Sequence, residues 1–527
     1  MSATRSGGHI GPPLHVNTYT MNNYIVSTEC PACSAPLDFS EGTNAVQCGH
    51  CSSKLLVTGR KQVLSYFISP KVDHYRAIAA AMKAQQEQGS ECRVIKPRLY
   101  FIPYYRLTGN DFRWEEAPRI PVKSNIEDGQ PGDYGPDYEW GFEDNKSGLG
   151  SILGHAGDLI DMVFGDKRQP GGPIVHAQEN LPGETPPHLM FQKIGAAEPE
   201  DTEPAKVQLG DRYVEKNFIA CNLHGEGLYS LGLRPVVLRL ELFQKSTLES
   251  IGKIVNPDLG VDEAMGSGMK DAAMQSLLFR SVIGRILSII YFPFWVIEME
   301  CDGEHISTIV DGVSQTVVKL DAAHSIYSTL DQPPQSEPKI AGFRPLCCPN
   351  CGWDLPLRPD DAIFFCSSCA RTWQIYGSDL TEVPYQVARA DNLNGQSKYL
   401  PFWVLAATTG GELLTFYIPA FRFRRLKMLA DLAANMTRKK PAYSICDDEK
   451  QGIKEMQGCF YDAEDAFLFS QFVHAGITSQ TAEKMKLFNK DELTLQGATL
   501  TWFPFKVNGC NLVDPFTGTT IPQGLIL

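Results

Sequence analysis

Cys30-Pro-Ala-Cys33 is followed after fourteen residues by Cys48-Gly-His-Cys51, and this spacing is the strongest indication of the fold. A second copy with the same fourteen-residue spacing consists of Cys348-Pro-Asn-Cys351 and Cys366-Ser-Ser-Cys369. Four thiolates of this kind can surround one zinc ion at a Zn–S distance of about 2.3 Å. The duplicated pattern therefore predicts two zinc ribbons, each holding one ion.

The zinc ions are predicted to be structural. A segment of about 25 residues with few large apolar side chains cannot form a core, so a metal must hold it together. Four thiolates fill the tetrahedron and leave no position for a reacting water molecule. Iron in a rubredoxin-like site is the competing interpretation, although such sites usually have a longer segment between the cysteine pairs. Cys347 and His50 lie next to ligands and are predicted to be bystanders.

The remaining sequence divides around these clusters, and the predicted fold class is α+β. Two four-cysteine zinc ribbons are fused to aromatic-rich β modules with a few packing helices. The predicted segments are a flexible leader (1–27), zinc ribbon 1 (28–57), an α+β module (58–123), an acidic, largely flexible Gly/Pro-rich insert (124–210), an α+β module (211–330), a linker (331–345), zinc ribbon 2 (346–376) and an α+β module (377–527).

Five strand-like stretches share an aromatic residue, a proline close behind it and further aromatic or apolar residues. They are YFIPYYRL (100–107), YFPFWVIE (291–298), KYLPFWVL (398–405), FYIPAFRF (416–423) and TWFPFKVN (501–508). Proline is tolerated near the start of a strand, where one N–H can stay unpaired. The pattern predicts a strand-rich module built more than once, with Trp295 and Trp403 buried in its core.

Helices are predicted at 72–88, 263–289 and 423–437, with further helix within 462–488. The apolar stretch 276–299 contains Arg280 and Arg285, and its uncharged part is shorter than the roughly 20 residues of a membrane span. We predict a buried amphipathic helix that runs into a core strand, and no transmembrane segment.

Charge and cysteine usage limit the function classes. The chain has a net charge of −13. Residues 124–210 hold sixteen acidic and five basic side chains, so the other residues together are nearly neutral. That balance disfavours a protein that neutralises many phosphates. The first 22 residues contain no apolar core of a signal peptide, which predicts a cytoplasmic protein. The thiols outside the clusters are predicted to be free, and they include Cys92, Cys221, Cys301, Cys446, Cys459 and Cys510.

No catalytic residues are predicted. The sequence contains no GxxxxGK[ST] loop, no HExxH and no GxSxG motif, and its eleven histidines are dispersed. The basic stretch 421–440 carries an apolar stripe between two groups of cations. We interpret it as a surface helix packed on its module. Contact with nucleic acid, with an anionic membrane surface or with the acidic insert of another copy is the alternative.

The eight ribbon cysteines together with YFPFW, KYLPFW and YIPAF resemble bacterial zinc-ribbon proteins of uncharacterised function. The first ribbon is similar to transcription-factor-type and primosomal-type ribbons. The resemblance covers about half of the chain. It implies two zinc sites and a cytoplasmic, non-enzymatic protein at a membrane-associated assembly. The large acidic insert departs from that pattern.

The sequence thus favours a non-enzymatic zinc-binding scaffold, an interaction subunit of a cytoplasmic multiprotein assembly with protein partners. Peripheral association with a membrane is compatible with this reading. A nucleic-acid-binding zinc-ribbon protein and an enzyme with a site between modules are the two alternatives. The sequence does not determine the partner or the oligomeric state.

Overall fold

The computed structural model describes residues 24–117, 205–223, 238–268, 276–322, 326–332, 337–390, 395–446 and 456–527. Residues 1–23 of the predicted leader and residues 118–204, which hold nearly all of the acidic insert, lie outside the described residues. The predicted flexibility of the leader and the insert therefore stays a prediction.

Strands dominate the described part of the chain. They are β1 (Ile25–Glu29), β2 (Pro36–Ser40), β3 (Ala45–Gln47), β4 (Lys54–Val57), β5 (Leu64–Phe67), β6 (Cys92–Glu116), β7 (Val207–Ile219), β8 (Arg239–Leu242), β9 (Lys253–Ile254), β10 (Leu277–Cys301), β11 (Glu304–Asp311), β12 (Val317–Ala322), β13 (Phe343–Pro345), β14 (Ile363–Cys366), β15 (Arg371–Tyr376), β16 (Asp379–Glu382), β17 (Tyr385–Arg389), β18 (Ser397–Thr409), β19 (Glu412–Pro419), β20 (Ser444–Ile445), β21 (Thr494–Asn508), β22 (Asn511–Val513) and β23 (Thr520–Pro522).

The helices are short by comparison. They are α1 (His74–Glu87), α2 (Lys245–Ile251), α3 (Val261–Gly268), α4 (Ile326–Leu330), α5 (Leu426–Lys439), α6 (Ala463–Thr478) and α7 (Ala482–Lys486), with 3-10 turns at Lys490–Glu492 and Gln523–Leu525. Among the described residues, no helix combines the length and the apolar character needed to cross a membrane.

A ten-stranded sheet is built around the long antiparallel pair β6 and β10. Its order is β12-β11-β10-β5-β8-β1-β2, and β6 also pairs with β7 and β9. We call residues 28–57 the first cluster segment and residues 346–376 the second cluster segment. The strands β1 and β2 flank the first pair of cysteines, so the first cluster segment is part of this sheet. The strand β7 begins at Val207, inside the range predicted for the insert.

A seven-stranded sheet forms the second module. Its order is β19-β18-β21-β17-β20, and β22 pairs with β21 and β23. The helix α5 has its apolar stripe buried, including Leu426, Leu429 and Leu432, while its terminal cations are exposed. This arrangement agrees with the predicted surface helix packed on its module. Two three-stranded sheets, β13-β4-β3 and β14-β15-β16, hold the rest of the cysteine segments.

The aromatic-proline stretches occupy matching places in the two large sheets. Residues 291–293 of β10 lie antiparallel to 101–103 of β6, with Tyr291 opposite Pro103. Residues 399–401 of β18 lie antiparallel to 502–504 of β21 in the same register, and again a tyrosine is opposite a proline. In both pairs the proline carbonyl of the first strand accepts a backbone N–H, from Gly312 in one sheet and from Ala420 in the other. The two central strand pairs therefore share their register and one flanking contact.

The predicted helix at 263–289 is wrong over most of its length. The helix α3 ends at Gly268, and β10 occupies the chain from Leu277 onward. Five β-branched residues lie between 282 and 290, and β-branched side chains favour strands over helices. An apolar run of this kind does not by itself distinguish a buried helix from a buried strand.

The two tryptophans predicted as core residues differ in burial. Trp403 is 3% exposed, and its indole N–H donates to the carbonyl of Tyr461 at 3.0 Å. Trp295 is only half-buried, and its indole N–H donates to the carbonyl of Val72 at 2.8 Å. The prediction is confirmed for Trp403 and wrong for Trp295, which packs beneath the start of α1.

Candidate metal centres

The fold brings the eight predicted cysteines together in two groups of four. Within each group the sulfur atoms lie within 4.8 Å of one another. Cys30 and Cys51 are 3.8 Å apart at sulfur, as are Cys33 and Cys48, and the pairs Cys348–Cys369 and Cys351–Cys366 are each 3.6 Å apart. Sulfurs on a tetrahedron with Zn–S bonds of about 2.3 Å are about 3.8 Å apart. Both groups therefore fit one tetrahedral metal ion each.

All four Cys-x-x-Cys turns have the same backbone geometry. The residue after the second cysteine has a positive φ in every case, and these residues are Ser34, Ser52, Gly352 and Ala370. Each of them donates its backbone N–H to the carbonyl of the first cysteine of its turn, at 2.8 to 2.9 Å. Only one is a glycine, so three non-glycine residues hold a conformation that side chains rarely adopt. Because the same conformation occurs in all four turns, the structure of the turn itself must enforce the positive φ.

Hydrogen bonds favour the thiolate form of two cysteines in the first cluster, Cys48 and Cys51. Hydrogen bonds from the Ser53 hydroxyl and backbone lower the pKa of Cys51 to about 6. The backbone N–H groups of Cys51 and His50 lower the pKa of Cys48. A metal binds the thiolate rather than the thiol, so these contacts prepare both sulfurs for a metal ion. The His50 side chain itself is exposed.

The two cluster segments are joined to each other. The strand β13, which lies at the end of the predicted linker 331–345, pairs with β4 of the first segment, with Phe343 opposite Val57. A small apolar core contains Leu56 from the first segment and Cys348, Cys366 and Trp373 from the second. Cys30 and Cys48 are buried in the core of the ten-stranded sheet instead. The clusters thus form one connected unit that is anchored in the first module.

Comparison with known protein families, with curated proteins and with solved structures finds no match to this chain. Among the residues that the structure describes, the two cysteine groups are the only sets of three or more His, Cys, Asp or Glu side chains placed to share one metal ion.

A buried ion cluster connects the first cluster segment to the second module. Lys61 Nζ lies 3.0 Å from Asp462 and 3.7 Å from Asp465, and Arg60 lies within 3.9 Å of both carboxylates. The two aspartates are 2% and 4% exposed, so they depend on these cations for compensation. Asp462 caps α6 by accepting the backbone N–H of Asp465. An Asp-x-x-Asp pattern before an apolar run predicts such a cap. No sequence signal indicates that these two aspartates pair with Arg60 and Lys61, which lie far earlier in the chain.

This junction predicts that stability falls as the pH rises towards 7. Burial and the Asp462 carboxylate raise the pKa of Asp465 to about 6, and burial raises the pKa of Asp361, in the neighbouring loop, to about 7. The folded state then binds protons more tightly than the unfolded chain, whose aspartates titrate near pH 4. The contribution of these two carboxyl groups to the free energy of unfolding is complete below about pH 4 and is lost as the pH rises through 6 to 7.

The measurement is urea unfolding of the zinc-loaded protein from pH 5.5 to 8. Changing Asp465 and Asp361 together to asparagine should flatten the pH dependence by an amount on the order of 1 kcal/mol per carboxyl. Asp360 to asparagine is the matched control, because this carboxylate is half-exposed and pairs with Arg422. A pH profile that the double substitution leaves unchanged would contradict the prediction.

A second buried charge cluster includes Glu41 of the first cluster segment. Arg106 is fully buried, with Nε 2.6 Å from Glu41 and a terminal nitrogen 2.9 Å from Glu215. The hydroxyl of Ser288 donates to the other oxygen of Glu41. The Arg106 guanidinium group also lies over the ring of Tyr24, 4.4 Å from its centroid. The buried cation is therefore fully compensated, and it ties β6 to the turn after β2.

Cys92 and Cys301, predicted as free thiols, form a disulfide. They are opposite each other at the last position of the β6–β10 ladder. The local sequence around either cysteine does not indicate this pairing, because 209 positions separate the two residues in the chain. Disulfides are rare in a reducing cytoplasm, so this bond weighs against the predicted compartment. The cytoplasmic location stays a prediction.

Removing this disulfide is expected to destabilise the first module. Changing both Cys92 and Cys301 to serine should lower the free energy of unfolding by about 2–4 kcal/mol, since a cross-link over a long loop restricts the unfolded chain. Urea unfolding under air, with and without a phosphine reductant, measures the effect. The wild type should match the variant once reduced. Equal stability of both proteins under air would show that the bond does not form.

Proposed function

We propose that this chain is a zinc-binding scaffold, an interaction subunit of a cytoplasmic multiprotein assembly. The main observation behind the proposal is that cysteine sulfurs would fill all four positions around the metal in both centres. Four cysteine sulfurs surround each centre at tetrahedral spacing, so a bound zinc ion keeps no position for water or substrate. Zinc held in this way supplies folding energy, about 10–16 kcal/mol in small zinc-binding peptides, and supplies no reaction chemistry.

The way the clusters are built into the fold supports a scaffolding role. The strands β1 and β2 extend the ten-stranded sheet, while β4 and β13 join the two cluster segments. Arg60 and Lys61, directly after the first segment, are paired with aspartates at the start of α6. Metal-bound segments placed in this way would hold the modules together and present their outer surfaces to protein partners.

The proposal includes membership of the bacterial zinc-ribbon proteins that the sequence resembles. Four equivalent Cys-x-x-Cys turns and the shared register of 291–293 and 399–401 support a ribbon-plus-module unit that occurs twice. The metal in this proposal is zinc rather than iron, and the compartment is the cytoplasm. Peripheral contact with a membrane is compatible with the proposal.

Affinity capture from the native host tests the scaffold. The tagged wild type should retain a reproducible set of proteins. The Cys351 to serine variant should lose that set, because it loses a zinc ligand. Cys347 to serine is the matched control, since this cysteine lies four positions away in the same segment and belongs to neither group. If the ligand variant retains every partner, or if the wild type retains none, the scaffold proposal fails.

One observation favours nucleic acid as a second candidate partner. The two ends of α5 and the residues next to them carry six exposed cations, namely Arg424, Arg425, Lys427, Arg438, Lys439 and Lys440. A binding shift on DNA or RNA at low salt that weakens steeply with added salt would support this alternative. Exchange of Arg438, Lys439 and Lys440 for glutamine should then reduce the salt dependence.

A further inference from the structure

The disulfide between Cys92 and Cys301 borders a surface cavity of about 630 Å³. The cavity wall includes Cys92 but not Cys301. Cys92 is partly exposed, whereas Cys301 is 6% exposed. Thiol–disulfide exchange begins when a thiolate attacks one of the two sulfurs, and its rate depends on access to that sulfur. A thiol reductant that enters this cavity therefore reaches the disulfide through Cys92.

The disulfide fastens the end of the β6–β10 ladder. The two cysteines are opposite each other at the last position of that ladder. Beyond them, the backbone N–H of Asp302 donates to the carbonyl of Glu91 at 3.1 Å, and the N–H of Glu91 donates to the Asp302 carboxylate at 3.4 Å. Both residues are exposed, so water competes for these two hydrogen bonds. The covalent bond is the stronger fastening of this strand end.

The helix α1 is attached to this end of the ladder. It ends at Glu87, four residues before β6 begins at Cys92. Cys301 packs in the same small core as Ala77 and Ala81 of α1, and Cys92 packs against that core. Opening the disulfide therefore loosens both the chain that leaves α1 and part of the surface on which α1 lies.

Few side chains hold α1 on the sheet. Its buried residues are Ala77, Ala81 and Gln85. The helix α5 has the same length of 14 residues and buries seven side chains, three of them leucines. Because an alanine removes less apolar area from water than a leucine does, α1 is held less firmly than α5. A change at its attachment point therefore affects α1 more than a well-packed helix.

We propose that the Cys92–Cys301 bond is a redox switch that controls how firmly α1 is held, with a small dithiol as the reductant. A thiolate of the dithiol attacks the Cys92 sulfur, the S–S bond breaks, and Cys301 leaves as a thiolate. The second thiol of the reductant then displaces Cys92. The dithiol is oxidised to its own disulfide, and its two protons end on Cys92 and Cys301.

The switch rests on the cytoplasmic compartment of the proposed function. Protein disulfides in a reducing cytoplasm are usually transient and redox-sensing, and exposed ones are the more labile. A bond that a reductant can reach at Cys92 fits this class. The disulfide and the proposed compartment are then compatible, because the bond forms and breaks with the redox state.

Alkylation of single variants tests the access to each sulfur. Cys301→Ser leaves Cys92 as a thiol, and Cys92→Ser leaves Cys301. Peptide mapping after treatment of the zinc-loaded full chain with N-ethylmaleimide should show faster alkylation of Cys92, by about tenfold, since reactivity follows exposure. The buried Cys459 gives the rate of an enclosed thiol in both samples. Alkylation of Cys301 at the rate of Cys92, or faster, would overturn the proposed route of attack.

Hydrogen exchange of backbone amides tests the switch itself, on the zinc-loaded wild type before and after dithiothreitol. Reduction should raise the exchange rate of α1 by about tenfold or more and leave α5 unchanged, because local opening depends on local contacts. The double variant Cys92→Ser/Cys301→Ser should exchange like the reduced wild type with or without dithiothreitol. This control separates reduction of the disulfide from removal of zinc by the dithiol.

Three results would overturn the switch. They are equal exchange of α1 in the oxidised and reduced wild type, an equal rise in α1 and α5, and a Cys92–Cys301 bond that dithiothreitol leaves intact. Both measurements use the purified chain and involve no partner. Failure of the affinity capture would therefore count against the scaffold and leave these results as they are.

Discussion

Changing Cys366 to serine is expected to release one of two zinc ions and to destabilise the second cluster segment by several kcal/mol. Cys366 is 1% exposed and belongs to the core that joins both cluster segments. Its loss leaves three thiolates for an ion that needs four, and structural zinc supplies about 10–16 kcal/mol of folding free energy in small domains. The signal to follow during urea unfolding is the fluorescence of Trp373, which is buried in the same core.

Cys347 to serine is the control for this experiment. It removes a thiol from the same segment without touching either group of four, and it should leave unfolding within about 0.5 kcal/mol of the wild type. Equal unfolding midpoints for the Cys366 and Cys347 variants would contradict the assignment of Cys366 as a ligand.

Truncation of Trp403 to alanine is the second large effect, at about 3–5 kcal/mol. Trp403 is almost fully buried in the core of the second module, and the change also leaves the Tyr461 carbonyl without its indole donor. That loss is a large share of the 5–15 kcal/mol by which domains are usually stable. Thermal unfolding of the variant should show a clearly lower midpoint for the second module.

Trp295 provides the matched comparison, because it follows the same Pro-Phe pair in β10. It is half-buried, so its truncation to alanine should cost less, about 1–3 kcal/mol. A Trp295 variant that is as unstable as the Trp403 variant would contradict the difference in packing. Unchanged melting of both variants, with lost partner binding, would mean that these residues form an interface.

The sequence predicts those parts of the fold that local spacing determines. A Cys-x-x-Cys turn needs only four consecutive residues, so both groups of ligands follow directly from the sequence. The helix at 72–88 is also a local feature, with an Asp73 cap and a glycine stop, and the structure has it as α1. A local pattern also predicts the aromatic-proline stretches as strands.

Features that depend on distant partners were missed. The local pattern predicts part of β10 as a helix, because the partner strand β6 lies more than 150 residues earlier and leaves no trace in that pattern. The same holds for Arg106, whose partners Glu41 and Glu215 come from two other parts of the chain. Pairing across these distances is decided by packing, which local sequence does not encode.

The central claim is that each group of four cysteines holds one zinc ion, and elemental analysis combined with native mass spectrometry tests it most directly. The protein should be purified anaerobically, without added metal, as the wild type and as single variants in each group. We predict two zinc ions per wild-type chain, one in a variant of Cys48 or Cys366, and two in the Cys347 variant. One or no zinc ion in the wild type, or iron with visible absorbance, would contradict the account.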